Sequence, residues 1–291
     1  MLSQQLWNGI SLGMAYSLIA VGYSLVFGIL RLVNFSHGAV YAFGAHMVIF
    51  LISFRIGLFP SIILGVIISG ILGIAIDKIA LKPLRKKNSP PIASLITTIG
   101  ISYIIQNLLM IGFGSEKKPF PSLFEYEMLD FYGVQISTMQ LIMFLVSFIL
   151  LVILTIIVHG TKVGLAMRAV EQNTQIAGLM GINTNGIIAF TFFLGGASAS
   201  IASVLISGYY QIVYPTMGFM VGLKAFAAAV LGGIGVFYGS VVGGLVIGVT
   251  ESLAATVLGS AYRDSIAFLI LIIVLIIRPS GFFGKKGIEK V

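Results

Sequence analysis

Two stretches, Leu6–Leu30 and Ile136–Val158, run without a single charged residue. Each exceeds the ~20 residues that carry a helix across ~30 Å of hydrocarbon. Inside a bilayer no water is available to satisfy the backbone, so such runs fold as helices that close their own hydrogen bonds. The rest of the chain has the same character. Charged residues make up 9% of its 291 positions and mean hydropathy is +1.09, whereas a soluble domain carries roughly 25% charge. The sequence predicts an all-α polytopic membrane protein forming a single transmembrane unit over residues 1–291.

Apolar runs broken by charge, Pro or Gly clusters give nine candidate spans, with eight to ten as the working range. They are Leu6–Leu30, Gly38–Phe54, Phe59–Ile76, Ile92–Gly114, Ile136–Val158, Ile187–Ser207, Gly218–Gly233, Ser240–Leu258 and Ser265–Ile277. The second, seventh and ninth are short, as re-entrant or broken helices are. Met1–Trp7 has no Lys or Arg and the apolar run behind it is too long for a cleavable signal, so the first span is expected to stay. Under alternation, one side collects Arg31, Lys78, Lys82, Arg85, Lys86, Lys87, Lys162, Arg168, Arg278, Lys285, Lys286 and Lys290. The other collects only Arg55, Lys117, Lys118 and Arg263, with acidic Glu116, Glu125, Glu127 and Asp130 in the loop Ser115–Gln135. The positive-inside rule places the richer side in the cytoplasm and, with nine spans, the N-terminus outside. Dispersed over short loops, the net charge of +8 does not describe a nucleic-acid surface.

Val33–Gly38 interrupts the apolar pattern after the first span, and Val213–Gly218 does so after the sixth, at an offset of 180. Spans one to four then run opposite in sense to spans six to nine, which is the arithmetic of an inverted repeat, whose broken segments flank transport pathways. Two ordinary interhelical breaks are the alternative. Asn34, Ser36, His37, Tyr214 and Thr216 at these breaks are the candidate pathway residues.

Catalytic and cofactor motifs are missing where they would have to be. There is no P-loop and no H-E-x-x-H, and Gly232–Gly239 departs from the dinucleotide pattern at Tyr238. No Cys is present and the three His are far apart, so no metal, cofactor or catalytic site is expected. Gly235, Gly239 and Gly243 recur every fourth residue, as do Gly9 and Gly13, the spacing that lets helix backbones approach. Lys224 and Glu251 fall inside apolar runs at a cost of ~2.5–3.5 kcal/mol each. With a hairpin turn near Phe237 and Tyr238 they reach similar depth, so an ion pair and independent snorkelling are both open. The 159–186 loop is too polar to span. There Ala166, Ala169, Val170, Asn173, Ala177 and Met180 share one helical face, Arg168, Glu171, Gln172 and Gln175 another, and Gly181 supplies a stop. Such a helix docks on a cytoplasmic partner or lies on the membrane surface.

Four blocks in order carry a family resemblance: Asn34-Phe35-Ser36-His37-Gly38; Gly164–Ala169 with Gly181-Ile182-Asn183; Gly222–Gly235; and Arg278–Gly284. Through them the sequence resembles the H-type membrane subunit of bacterial branched-chain amino acid ABC importers. The resemblance implies an importer-permease fold in the bacterial cytoplasmic membrane, carrying Leu, Ile or Val by alternating access. It further implies a second homologous permease subunit, two cytoplasmic ABC ATPase subunits that do all the ATP hydrolysis, and an external solute-binding protein. It makes 159–186 the ATPase-coupling loop, with Arg168, Ala169, Glu171, Ala177 and Gly181 as contact candidates. Similar members carry urea or short amides. An ion-coupled secondary transporter, the rival from another class, calls for membrane-embedded carboxylates, and only Glu251 and Asp77 come near the hydrocarbon.

Overall fold

The computed structural model describes residues 2–124, 127–131, 133–278 and 280–284. Glu125, Pro279, Lys285, Lys286 and Lys290, used above, lie outside the described residues. Among the described residues, nine apolar helices stand where the nine runs place them. They are α1 (Leu2–Leu30), α2 (His37–Ser53), α3 (Leu58–Ile76), α5 (Pro91–Phe113), α6 (Thr138–Thr155), α9 (Thr184–Tyr210), α10 (Met217–Gly232), α11 (Phe237–Leu258) and α12 (Arg263–Ile277). A π-helical turn, Asp77–Leu81, carries α3 into the short α4 (Lys82–Lys86), and a second one, Ile156–Gly160, extends α6. With those extensions six helices are long and apolar enough to cross a membrane, whereas α2, α10 and α12 have only 17, 16 and 15 residues. Two polar helices, α7 (Lys162–Gln172) and α8 (Thr174–Leu179), fill the loop between α6 and α9.

Helix packing follows an exchange rule. α1 packs on α11 as α3 packs on α9; α2 packs on α9 as α10 packs on α1. Likewise α2 meets α3 and α5, while α10 meets α11 and α12. Swapping α1 with α9, α2 with α10, α3 with α11 and α5 with α12 therefore reproduces these pairings, except that α11 also packs on α12 without a matching α3–α5 seam, and α6 rests on both α1 and α9. At the centre the two short helices cross through the equivalent glycines of the two breaks. A Cβ on Gly38 would lie 2.3 Å from the Gly218 carbonyl oxygen, and one on Gly218 would lie 2.0 Å from that of Gly38. Backbones this close admit only glycine.

The α1–α11 seam is equally tight: Gly9 and Gly13 interleave with Gly244 and Gly248. The expected Gly235/Gly239/Gly243 row is corrected here. Gly235 sits in the connection before α11 with φ +87°, and Gly239 and Gly243 face the backbone of α10.

At one end of the bundle, Arg31, His159, Arg168 of α7 and the last described residues surround one cavity, and the π-turn after α3 packs on α9; this is the basic end. At the opposite end the Gln4 amide binds the Gln135 carbonyl at 2.7 Å, and Gln140 donates to Asn8 at 2.7 Å. There β1 (Lys118–Pro119) pairs with β4 (Ile212–Val213), and β2 (Met128–Phe131) with β3 (Val134–Ser137), both antiparallel. The first pairing ties the loop after α5 to the second break.

Candidate functional site

The first break turns back into the bundle through a short polar turn. The Asn34 side-chain oxygen accepts from the Ser36 amide at 3.1 Å and from its hydroxyl, and the Asn34 carbonyl accepts from the His37 amide at 3.3 Å. Phe35 donates its amide to Thr98 Oγ1 of α5 at 3.3 Å. Non-helical backbone at membrane depth survives only when satisfied in this way. His37 is buried against Gly22 and Gly195, with its ring 4.6 Å from that of Tyr23.

A cavity of about 280 Å³ opens beside the crossing of α2 and α10. It is lined by Tyr23 of α1, Phe35 and Gly38 at the first break, Ser102, Tyr103 and Gln106 of α5, and Gly218, Phe219 and Gly222 of α10. None of the five residues proposed from the sequence lines it. Asn34 and Ser36 are consumed by their own turn, and His37 points behind the crossing. Tyr214 faces the opposite end, 5.6 Å from Lys117 Nζ, and Thr216 is exposed beside it. The lining instead comes from their chain neighbours Phe35, Gly38 and Gly218, and from α5. Ser102 and Gln106, one turn apart, are the signal in α5 that polarity could have given.

Lys224 and Glu251 meet: Lys224 Nζ lies 3.0 Å from Glu251 Oε1, and both are buried. The same ammonium lies 2.6 Å from Asp264 Oδ1 in the first turn of α12. Asp264 is half exposed, so the cluster reaches the surface at the end opposite the basic one. The connection between α10 and α11 falls at 233–236, earlier than the turn near Phe237 and Tyr238 that the sequence suggests. A second buried carboxylate, Asp77, lies 2.6 Å from Arg85 Nη1.

At the basic end the polar loop is two helices, not one. The Asn173 side chain accepts from the Gln175 and Ile176 amides at 2.9 and 3.0 Å, capping α8 and ending α7. Its buried face is Gly164, Met167, Val170 and Ala177, so Met167 replaces the expected Met180, which is exposed together with Asn173. Gly181, at φ +84°, closes α8 with Gly181 N–H on the Gly178 carbonyl and Ile182 N–H on that of Ala177, a Schellman stop. Arg168 and Glu171 turn inward and, with Arg31, His159, Phe226 and Val230, line a second cavity of about 790 Å³. Ala169 is half-buried beside them. Among exposed polar side chains such as Lys162, Gln172, Thr174 and Gln175, α7 and α8 also expose Leu165 and Ile176, and their tip exposes Leu179 and Met180, at 87% and 79%. α7 is clamped to the end of α6, because a Cβ on Gly164 would lie 2.1 Å from the Val158 carbonyl oxygen.

Among the described residues no group of three or more His, Asp or Glu could hold a metal ion. Residues 5–275 match the family described as branched-chain amino acid transport system, permease component. The chain is 38% identical to the high-affinity branched-chain amino acid transport system permease protein LivH of Salmonella typhimurium, covering 99% of this chain and 97% of that one. It is 39% identical to the corresponding permease protein BraD of Pseudomonas aeruginosa, with the same coverage of both. Among solved structures, PsaBC from Streptococcus pneumoniae in complex with Fab has a similar fold, with TM-score 0.52 and 13% identity over 97% of this chain and 93% of that one.

Proposed function

The chain belongs to the branched-chain amino acid permease component family and sits in the cytoplasmic membrane, and from this premise we propose that it is one membrane subunit of an ATP-driven importer of leucine, isoleucine or valine. It performs no covalent chemistry. Two ABC ATPase subunits supply the energy, a second homologous permease completes the passage, an external solute-binding protein delivers the substrate, and lipid surrounds the rest. The basic end faces the cytoplasm, in keeping with its excess of Lys and Arg.

The observation that carries this reading is the elbow of α7 and α8. Its inner face is clamped to α6, and its tip exposes Leu179 and Met180 to an extent that calls for a partner. A helix resting on lipid has no use for the Gly164 clamp, whereas a lever worked by an ATPase needs it. The neutral lining of the 280 Å³ cavity suits a zwitterion with an apolar side chain, and the weak grip such a lining offers is sufficient when an external receptor selects the substrate.

Reconstitution of the complete complex in proteoliposomes with ATP inside tests the proposal. Uptake of leucine, isoleucine or valine should require both the binding protein and ATP hydrolysis. Uptake of urea or short amides instead would overturn the substrate assignment. Uptake without the ATPase subunits that collapses with an ion gradient would overturn the mechanism.

A further inference from the structure

The two cavities share a wall. Tyr23 and Phe35 line the 280 Å³ cavity, while Ser24, next to Tyr23, and Phe226 line the 790 Å³ one at the basic end. Along α10, Gly222 and Leu223 face the first cavity and Phe226, a turn further, faces the second. The wall is built of rings: Phe226 stands 5.6 Å from Phe35 and 6.1 Å from Tyr23 between centroids, and Tyr23 stands edge-on to His37 at 4.6 Å. Phe35 and Phe226 are only half-buried, which fits rings that face space on either side. Beside the wall the helices are held close by glycine, since a Cβ on Gly222 would lie 2.9 Å from Gly38 Cα.

We infer that Phe35 and Phe226, backed by Tyr23, form the inner gate of the passage, a one-ring-thick apolar septum between the mid-membrane cavity and the cytoplasmic vestibule. The inference rests on the transport reading above. Phe35 belongs to the first break and Phe226 to α10, so the two rings stand on opposite halves of the exchange-related bundle. A small relative rotation of those halves parts them, and apolar constrictions of this kind close by excluding water. The septum is not held by hydrogen bonds between its rings, so opening it breaks only ring contacts.

The chain has no native Cys, so thiol chemistry can be placed at will. In the intact complex, Phe35→Cys with Phe226→Cys should be bridged by a short bis-methanethiosulfonate, which joins each thiolate as a reducible disulfide and releases methanesulfinate. Bridging should abolish transport, and reduction should restore it. Failure to bridge in every nucleotide state, or undiminished transport once bridged, overturns the inference. In a second arm, Ser102→Cys is placed in the mid-membrane cavity of the complex locked without nucleotide, and a membrane-impermeant thiol reagent is applied from the cytoplasmic side. Labelling should be slow with both rings present and about tenfold faster with Phe226→Ala, equivalent to ~1.4 kcal/mol off the barrier. Equal labelling rates would sink the gate. This arm uses no cargo, so it stands even if the transported solute is not a branched-chain amino acid. If Phe226→Ala does not assemble, the bridging arm decides alone.

Discussion

Replacing Lys224 by methionine removes the cation that lies between Glu251 and Asp264, and the two distances and the burial of each partner fix what should follow. At 3.0 Å and an effective dielectric of ~20, the Lys224–Glu251 attraction is about 5.5 kcal/mol. Desolvating two ions costs several kcal/mol each, so the intact pair contributes little net stability against an apolar replacement. Breaking it from one side is a different matter. In Lys224→Met the Glu251 carboxylate, 2% exposed, keeps its burial cost and faces Asp264 with like charge; the expected loss is about 3–5 kcal/mol. Glu251→Gln leaves the ammonium paired with Asp264 at 2.6 Å and should cost less. Asp264→Asn should cost about 1 kcal/mol or less, because that side chain is 46% exposed. Lys224→Met with Glu251→Gln removes the stranded charge and should be more stable than Lys224→Met alone. The assay is the fraction of monodisperse protein in mild detergent after graded heating, run on all four variants. Additive effects, or a loss from Asp264→Asn as large as that from Lys224→Met, would refute the reasoning.

Gly248→Ala puts a Cβ 2.3 Å from Gly13 Cα and should cost about 1–3 kcal/mol by prising α1 from α11. Gly100→Ala, with open space around it on α5, should be neutral or stabilising by up to about 1 kcal/mol in the same heating assay. Leu179→Asp changes a side chain that is 87% exposed, so yield and thermal behaviour should hold while co-purification with the ATPase subunits and ATP-driven uptake fall together; unaltered co-purification would argue against the elbow as a docking site. Gly181→Ala meets no neighbour within 4 Å but must adopt φ +84°, so a loss of about 1–2 kcal/mol is expected from the left-handed backbone alone, read from protease nicking between α8 and α9.

The helices were legible because lipid leaves the chain little choice: the length of each charge-free run dictates its helix, and even the shortness of α2, α10 and α12 shows in the sequence. The elbow was half legible. Its amphipathic spacing is plain, but reading it as one helix overlooks that Asn173-Thr174-Gln175 is a good N-cap sequence, and the cap wins over continued periodicity. The pathway candidates do not line the 280 Å³ cavity, for a physical reason. Asn34 and Ser36 are polar at membrane depth because the turn itself needs their hydrogen bonds, so polarity there reports backbone satisfaction and not a lining. Ser102 and Gln106 acquire meaning only when α5 is laid beside two helix starts on either side of it in sequence, and no local pattern announces that. Asp264 was missed likewise, since its partner is chosen by the packing of α10 on α12.

The exchange rule bears on how a push at the elbow could reach the septum. His159, at the end of the α6 extension that clamps α7, stacks on Tyr238 at 5.3 Å and meets Phe237 edge-on at 5.9 Å. Those residues begin α11, whose Gly239 carbonyl oxygen would lie 1.9 Å from a Cβ on Gly232 at the end of α10. α10 and α11 are therefore locked at that turn and move there as one piece. Phe226 rides on α10, while Phe35 is fastened to α5 by the hydrogen bond its backbone N–H donates to Thr98 Oγ1. A displacement of α7 thus has a stiff route to one ring of the septum, whereas the other ring is anchored to a helix outside that route. Coupling through two discrete packed arrangements requires such an asymmetry, because a push that carried both rings together would open nothing.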